Sequence, residues 1–312
     1  LFVLNLSGPY RRSWTDAELD TEVRAFADYL KSRLPPGQLT VCQGADRRCA
    51  AVVIELGNEL DQPPFVWPSA EYARRARVAA QAIREILPSA VVIAQLTSSP
   101  WGMDQQAMAL LGVDYSSTVP RALGGLADAY AFHAYYDGIT VPAMLRFLNR
   151  LAPTLAGQGR DNRVYVTEYG RWPNRSESGD WREQWHLAED ISGALSNGDF
   201  LLALMSRSEV RGAVLHALGT SGPWPGIRRS RQDGGLYPTA AYGGMLAIRA
   251  ASLDQVLLDD VVSGDHPAYA KAYDLRYAVT ASDDGSRTGV LAVNRSASPL
   301  WLRLRDDSGR LG

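Results

Sequence analysis

The sequence predicts an α/β fold built from repeated βα units, followed by an all-β unit. Three observations carry this reading. Short, almost continuously apolar runs recur about every 40 residues, with helical patterns between them. The runs do not alternate polar with apolar residues, which marks strands covered on both faces, as in parallel sheets. From Tyr269 onward, β-like runs are divided by Asp/Gly turns, the mark of an antiparallel meander. A (β/α)8 barrel and a doubly wound sheet both fit the first two observations. No GxGxxG or GxxxxGK[ST] follows any strand, which argues against a nucleotide-binding sheet.

Each element has a local reason. The strand candidates are Phe2–Leu6, Ala51–Leu56, Ala90–Gln95, Tyr130–Tyr135, Arg163–Glu168 and Gly212–Leu218. The helix over Thr15–Leu34 follows Ser-Trp-Thr-Asp and carries Leu19, Val23, Phe26, Tyr29 and Leu30 at helical spacing. A second helix opens at Ser69-Ala-Glu and stops at Pro88, which cannot continue it. Pro142–Leu155, Trp185–Arg207 and Pro238–Ala251 also read as helices. The later β signals are Ala270–Thr280, the turn Asp283-Asp284-Gly285, Gly289–Asn294 and Leu300–Leu304.

Composition narrows the function. The chain has 312 residues, 46% hydrophobic and 21% charged, enough for a sizeable core. The 32 Lys and Arg against 34 Asp and Glu leave no basic excess, so nucleic acid is not an expected partner. No apolar run approaches the ~20 residues needed to span a bilayer, so no membrane partner is expected. The chain starts at Leu1 inside a strand pattern, without the charged and apolar regions of a signal peptide, so its start reads as a cut. The two cysteines, Cys42 and Cys49, lie in a polar loop without further metal-ligand spacing. They are either a disulfide, which would favour an extracytoplasmic or secreted protein, or two free thiols.

In a βα barrel the reacting groups sit at the C-terminal ends of the strands. Two carboxylates close apolar strands: Glu59 after Ala51–Leu56, and Glu168 in Thr167-Glu168-Tyr169-Gly170. They are three βα units apart, so they can face each other across a barrel mouth. Paired carboxylates suit glycoside hydrolysis, one as acid and base and the other as nucleophile. His133 and Tyr135 alternate on an intervening strand and point the same way. A Tyr135 hydroxyl beside Glu168 would hold its ionised form. Glu55 lies inside its strand and reads as part of a structural ion pair. His186 reads as structural or exposed. Aromatic side chains in the loops can stack on sugar rings, Trp172 and Trp224 being the expected lining residues. No cofactor and no metal are expected.

These residues give the sequence a resemblance to clan A retaining glycoside hydrolases. Ile54-Glu55-Leu56-Gly57-Asn58-Glu59 is similar to that clan's fourth-strand motif, Val166-Thr167-Glu168-Tyr169 to its seventh, and His133-Ala134-Tyr135 to the His-x-Tyr of its sixth. Within the clan, the sequence most resembles family 51, the α-L-arabinofuranosidases. This rests on the segments 193–201, 206–210 and 235–239, and on Val290-Leu291-Ala292-Val293-Asn294-Arg295 as a strand of a C-terminal sandwich. Two positions depart from that family: Tyr169 and Gly170 stand where it usually has a Trp, and His216 where its eighth strand often has Gln.

The resemblance implies a (β/α)8 TIM barrel over 1–252, lacking its first two strands, and a partial β-sandwich over 253–312. It implies Glu59 as acid/base, Glu168 as nucleophile and Asn58 as a contact to the sugar 2-hydroxyl. Asn5 would stand at a third-strand tip near the substrate, and His216 would line a subsite. The implied activity is hydrolysis of oligo- or polysaccharide with retention, arabinofuranosidase-like. The alternatives are xylosidase, glucuronidase or endo-glucanase action from another family of the clan, or a non-catalytic carbohydrate-binding barrel.

Overall fold

A computed structural model describes residues 1–8, 13–34, 52–62, 64–98, 114–136, 141–157, 163–171, 185–219, 224–230, 232–257, 275–296 and 298–301. Six parallel strands form one sheet: β1 (Phe2–Leu4), β2 (Val53–Leu56), β3 (Val91–Gln95), β4 (Ala129–Tyr136), β5 (Val164–Arg171) and β6 (Val210–Leu215). They are ordered as they occur in the sequence, the order of consecutive barrel strands. Registers Val3↔Glu55, Glu55↔Ile93 and Gln95↔Ala131 fix how the strand ends line up. Each of the six expected parallel strands is present, with ends displaced by a few residues; of the later expected run Leu300–Leu304, Leu300 and Trp301 are not in a strand and the rest lie outside the described residues.

Between the strands lie helices α1 (Asp16–Arg33) and α2 (Ser69–Ile86). The first turn of α1 is closed by a capping box. The Glu18 amide donates to Thr15 Oγ1, and the Thr15 amide donates to Glu18 Oε2 at 2.8 Å. Its stripe Leu19, Val23, Ala27 and Leu30 is buried. Helix α3 (Tyr115–Leu123) was not expected from the sequence, because Pro120 and three hydroxyl residues blur its apolar stripe. Asp114 caps it, accepting from the Ser117 amide at 3.3 Å and the Ser117 hydroxyl at 2.6 Å. Helix α4 (Val141–Gly157) follows β4.

Two compact units partition the chain. The first takes Leu1–Tyr135, Ala143–Tyr169 and Glu209–Val214; the second takes Tyr136–Pro142, Gly170–Ser208 and Leu215–Gly312.

The second unit holds helix α5 (Ile191–Met205), preceded by a 3-10 turn (Trp185–Ala188) that carries exposed His186. It also holds the hairpin strands β7 (Ile227–Arg229) and β8 (Leu236–Pro238), and helix α6 (Ala240–Ala251). A three-stranded antiparallel sheet follows: β9 (Gln255–Leu257), β10 (Leu275–Ala281) and β11 (Thr288–Asn294). Leu202 and Ile248 pack with Ala278 and Leu291, so the two helices share one core with this sheet. The Asp199 carboxylate, fully buried on α5, accepts from Arg276 at 2.8 Å and Arg295 at 2.9 Å. The turn between β10 and β11 is at Asp283-Asp284-Gly285, with Gly285 at φ 68°. No helix among the described residues is long and apolar enough to cross a membrane.

Candidate active site

The site is built where β2, β4 and β5 end. Strand β2 leads into Gly57-Asn58-Glu59, where the chain bends sharply. Gly57 sits at φ 90°, and a Cβ there would lie 2.7 Å from Leu60 Cδ1, so glycine is required. Glu59 itself holds φ 49°, a left-handed conformation that costs a non-glycine residue free energy.

A buried polar net beneath the turn holds that conformation. Asp61 accepts from the Ser98 amide at 2.8 Å, from Gln95 Nε2 at 2.9 Å and from the Ser98 hydroxyl. The Leu60 amide donates to Gln95 Oε1 at 3.4 Å. Burial pushes the Asp61 carboxyl above its usual range, and the two Ser98 bonds partly offset this. One strand over, Tyr72 of α2 donates to the Leu56 carbonyl and accepts from the Gln95 amide, both at 2.7 Å.

His133 and Tyr135 of β4 point the same way, as alternation requires. His133 Nδ1 lies 2.8 Å from Glu59 Oε1 and 3.6 Å from Glu168 Oε2. The Tyr135 hydroxyl donates to Glu168 Oε2 at 2.5 Å. One oxygen of each glutamate and one ring nitrogen of His133 all lie within 4.8 Å of one another. The Glu59 and Glu168 side chains are 36% and 24% exposed, open enough to meet a ligand, whereas that of His133 is 2% exposed.

Charge sets the protonation of this cluster. Burial pushes Glu55 up to about 7, and His133 and the Thr167 hydroxyl only partly oppose that. Burial would lower the His133 pKa, but the bond to Glu59 and the charges of Glu168 and Glu55 outweigh it, and the net shift is upward. Tyr135 is pushed up by burial and by Glu168, so its hydroxyl stays protonated and donates. Two carboxylates and an imidazole are also a donor set that cations use. Here Glu59 bonds His133 and Tyr135 bonds Glu168, so the four side chains form two hydrogen-bonded pairs, with His133 Nδ1 and Glu168 Oε2 3.6 Å apart.

The other expected residues fall as follows. Asn58 is exposed beside Glu59. Asn5 is exposed after β1, and its side chain closes a local turn, accepting from the Ser7 amide at 2.8 Å and the Ser7 hydroxyl at 2.7 Å. His216 and Trp224 belong to the second unit and meet each other, edge to face, at 5.9 Å between ring centres. Trp224 Nε1 donates to the Arg171 carbonyl at 2.7 Å. Trp172, Cys42 and Cys49 lie outside the described residues.

Two contributors have no counterpart in the sequence reading as site residues. Glu55 is 1% exposed, and its Oε1 accepts from the Thr167 hydroxyl at 2.9 Å and lies 3.9 Å from His133 Nε2. The signal for it was a lone carboxylate inside an otherwise apolar strand. The Asp61–Gln95–Ser98 net had only a weak signal, because its members are 34 to 37 residues apart except within one loop.

No protein-family model matches the sequence, and no curated protein matches it. Solved structures do match the fold. An α-L-arabinofuranosidase from Thermotoga maritima in its arabinose complex superposes with a TM-score of 0.63 at 16% identity, over 94% of this chain and 60% of that one. A family 51 α-L-arabinofuranosidase from Bifidobacterium longum gives 0.62 at 18% identity, over 79% and 54%. A glucosidase from Croceicoccus marinus gives 0.60 at 15% identity, over 94% and 57%. The chain therefore spans less than two thirds of each of these structures. In fold, it is similar to clan A glycosidases, family 51 α-L-arabinofuranosidases among them, as part of a TIM barrel joined to a β domain.

Proposed function

We propose that the protein is a retaining glycoside hydrolase acting on an oligo- or polysaccharide, with α-L-arabinofuranosidase-like specificity. The observation that carries this reading is the approach of Glu59 and Glu168, with carboxylate oxygens within 4.8 Å. Retention needs carboxyl groups about 5–5.5 Å apart; inversion needs about 6.5–9.5 Å, to admit a water. The fold similarity supports the same class.

In this mechanism the Glu59 carboxyl gives its proton to the glycosidic oxygen as that bond to the anomeric carbon breaks. A Glu168 oxygen forms the new bond, giving a glycosyl ester. Glu59, now a carboxylate, takes a proton from water. The water oxygen bonds the anomeric carbon, the ester breaks, and Glu168 is again a carboxylate. Tyr135 fixes the Glu168 oxygen it bonds, leaving the other to attack. Asn58 contacts the sugar 2-hydroxyl. Asn5 contributes to the subsite beside Asn58, and by the resemblance His216, Trp172 and Trp224 are further candidates for sugar contact; the barrel sequence gives way to the sandwich sequence near residue 252.

The test is hydrolysis of a panel of nitrophenyl glycosides by the full-length protein, with NMR of the first anomer released. Turnover of the α-L-arabinofuranoside with retention is the expected result. Wild-type turnover in both Glu59→Ala and Glu168→Ala overturns the assignment.

A further inference from the structure

Behind the two glutamates stands a third carboxyl that the reaction above does not use. Glu55 is buried beside His133, each residue being 1% exposed. Its Oε1 takes the Thr167 hydroxyl at 2.9 Å and faces His133 Nε2 at 3.9 Å, an ion-pair distance. That ring nitrogen is buried and has no hydrogen-bond partner among the described residues. The other nitrogen, Nδ1, faces Glu59 at 2.8 Å and Glu168 at 3.6 Å. The imidazole thus separates one buried carboxyl from two open ones.

We propose that Glu55 is a positioning residue that acts through His133. Glu55 Oε1 and His133 Nε2 hold one proton between them, and this keeps a hydrogen on Nδ1, aimed at whichever of Glu59 and Glu168 carries the negative charge. The inference rests on the glycosidase reading for its role, but not for the proton arrangement itself.

A lone charge at this depth is costly, so the pair is stable with one shared proton and unstable with none or two. If the proton is on Glu55, the acid's O–H dipole faces Nε2 across 3.9 Å and favours the tautomer in which Nε2 is bare and the neutral ring carries its hydrogen on Nδ1. If the proton is on Nε2, the ring is a cation and Nδ1 still carries a hydrogen. Both arrangements leave Nδ1 a donor. During the reaction the negative charge passes from Glu168, which becomes an ester, to Glu59, which has lost its proton. Nδ1–H stands beside both, so it follows the charge without a ring flip.

The groups that face this pair are few. Glu59 and Glu168 face His133 from the ends of β2 and β5. Thr167 bonds Glu55 from β5, and the Tyr72 phenol of α2 lies within electrostatic reach of it. Burial holds the Glu55 carboxyl up to about 7, so it retains its proton where an ordinary glutamate would not.

The test uses full-length protein with 15N-labelled histidine, comparing wild type with Glu55→Gln, which keeps the shape but accepts or donates indifferently at Nε2. In wild type, the His133 Nδ1 signal stays that of a protonated nitrogen from about pH 5 to 9. In Glu55→Gln, the His133 titration falls by about one pH unit, and the neutral ring shows a mixture of tautomers. The pH profile of kcat moves with it, kcat falls about ten-fold and KM stays within about two-fold, as loss of an orienting partner does elsewhere. Should Glu55→Gln fail to fold, Thr167→Val, which frees the Glu55 oxygen, shifts the same nitrogen signals by less. Unchanged His133 signals in the folded variant overturn the proposal, whatever the activity. Responsive His133 signals in a protein that cleaves no glycoside uphold the pair and sink the glycosidase reading alone.

Discussion

The Tyr135 hydroxyl donates a short hydrogen bond, 2.5 Å, to Glu168 Oε2 across adjacent strands. Burial and the Glu168 charge keep that hydroxyl protonated, so the bond always runs from tyrosine to glutamate. Tyr135→Phe removes one bond to a charged group, about 1.5–3 kcal/mol, or about 10- to 100-fold in rate. The expected loss is in kcat, with little change in thermal stability, measured by steady-state kinetics and a melting curve.

Glu59 and Glu168 are separable by leaving group. Glu59→Ala should slow hydrolysis of an alkyl glycoside by about 10²–10⁴-fold, because a poor leaving group needs the proton. The first step with a dinitrophenyl glycoside, which needs none, should slow far less. Glu168→Ala should abolish both. Burst-phase kinetics on the two substrates distinguish these outcomes.

Stability should depend on pH through Glu55. Its folded-state pKa of about 7 lies above that of an unfolded glutamate, so the folded chain holds a proton that the unfolded one gives up. The stabilisation this brings is complete below about pH 4 and is lost as pH rises toward 7. Glu55→Gln should flatten that decline and, near pH 8, exceed wild type by about 2 kcal/mol. Urea unfolding at pH 5 and pH 8 measures the difference.

Asp199 is the matching weak point of the second unit. Its buried carboxylate answers two guanidinium groups, from Arg276 and Arg295. Asp199→Ala leaves both without it and should destabilise the unit by about 3–5 kcal/mol. Calorimetry should show a clear fall in the melting temperature, and a smaller one for Asp199→Asn.

Much of this was legible because parallel strands write themselves as apolar runs. The six runs gave the strands, and the polar residues closing them gave Glu59, His133, Tyr135 and Glu168. What stayed hidden depends on depth or on exceptions to local rules. Helix α3 carries a proline, and β7 and β8 have three residues each, too few for a periodicity to register. The left-handed backbone of Glu59 is set by contacts with another strand, not by its own residue type. Glu55 looked like an ordinary ion-pair residue, because its link to His133 joins two strands that are not neighbours in the sheet.

The Tyr72 hydroxyl marks where β2 and β3 part company. Their register ends at Leu56↔Ala94, and there one oxygen atom stands between the Leu56 carbonyl and the Gln95 amide. The gap between the strand tips is therefore set by the reach of a phenol anchored on an outer helix. Glu59 hangs from one side of that gap, and the net that holds its turn hangs from the other. Aperture at this corner of the rim becomes a property of how α2 is seated, so residues on the outside of the sheet have a say in how wide the Glu59 and Glu168 carboxyls stand.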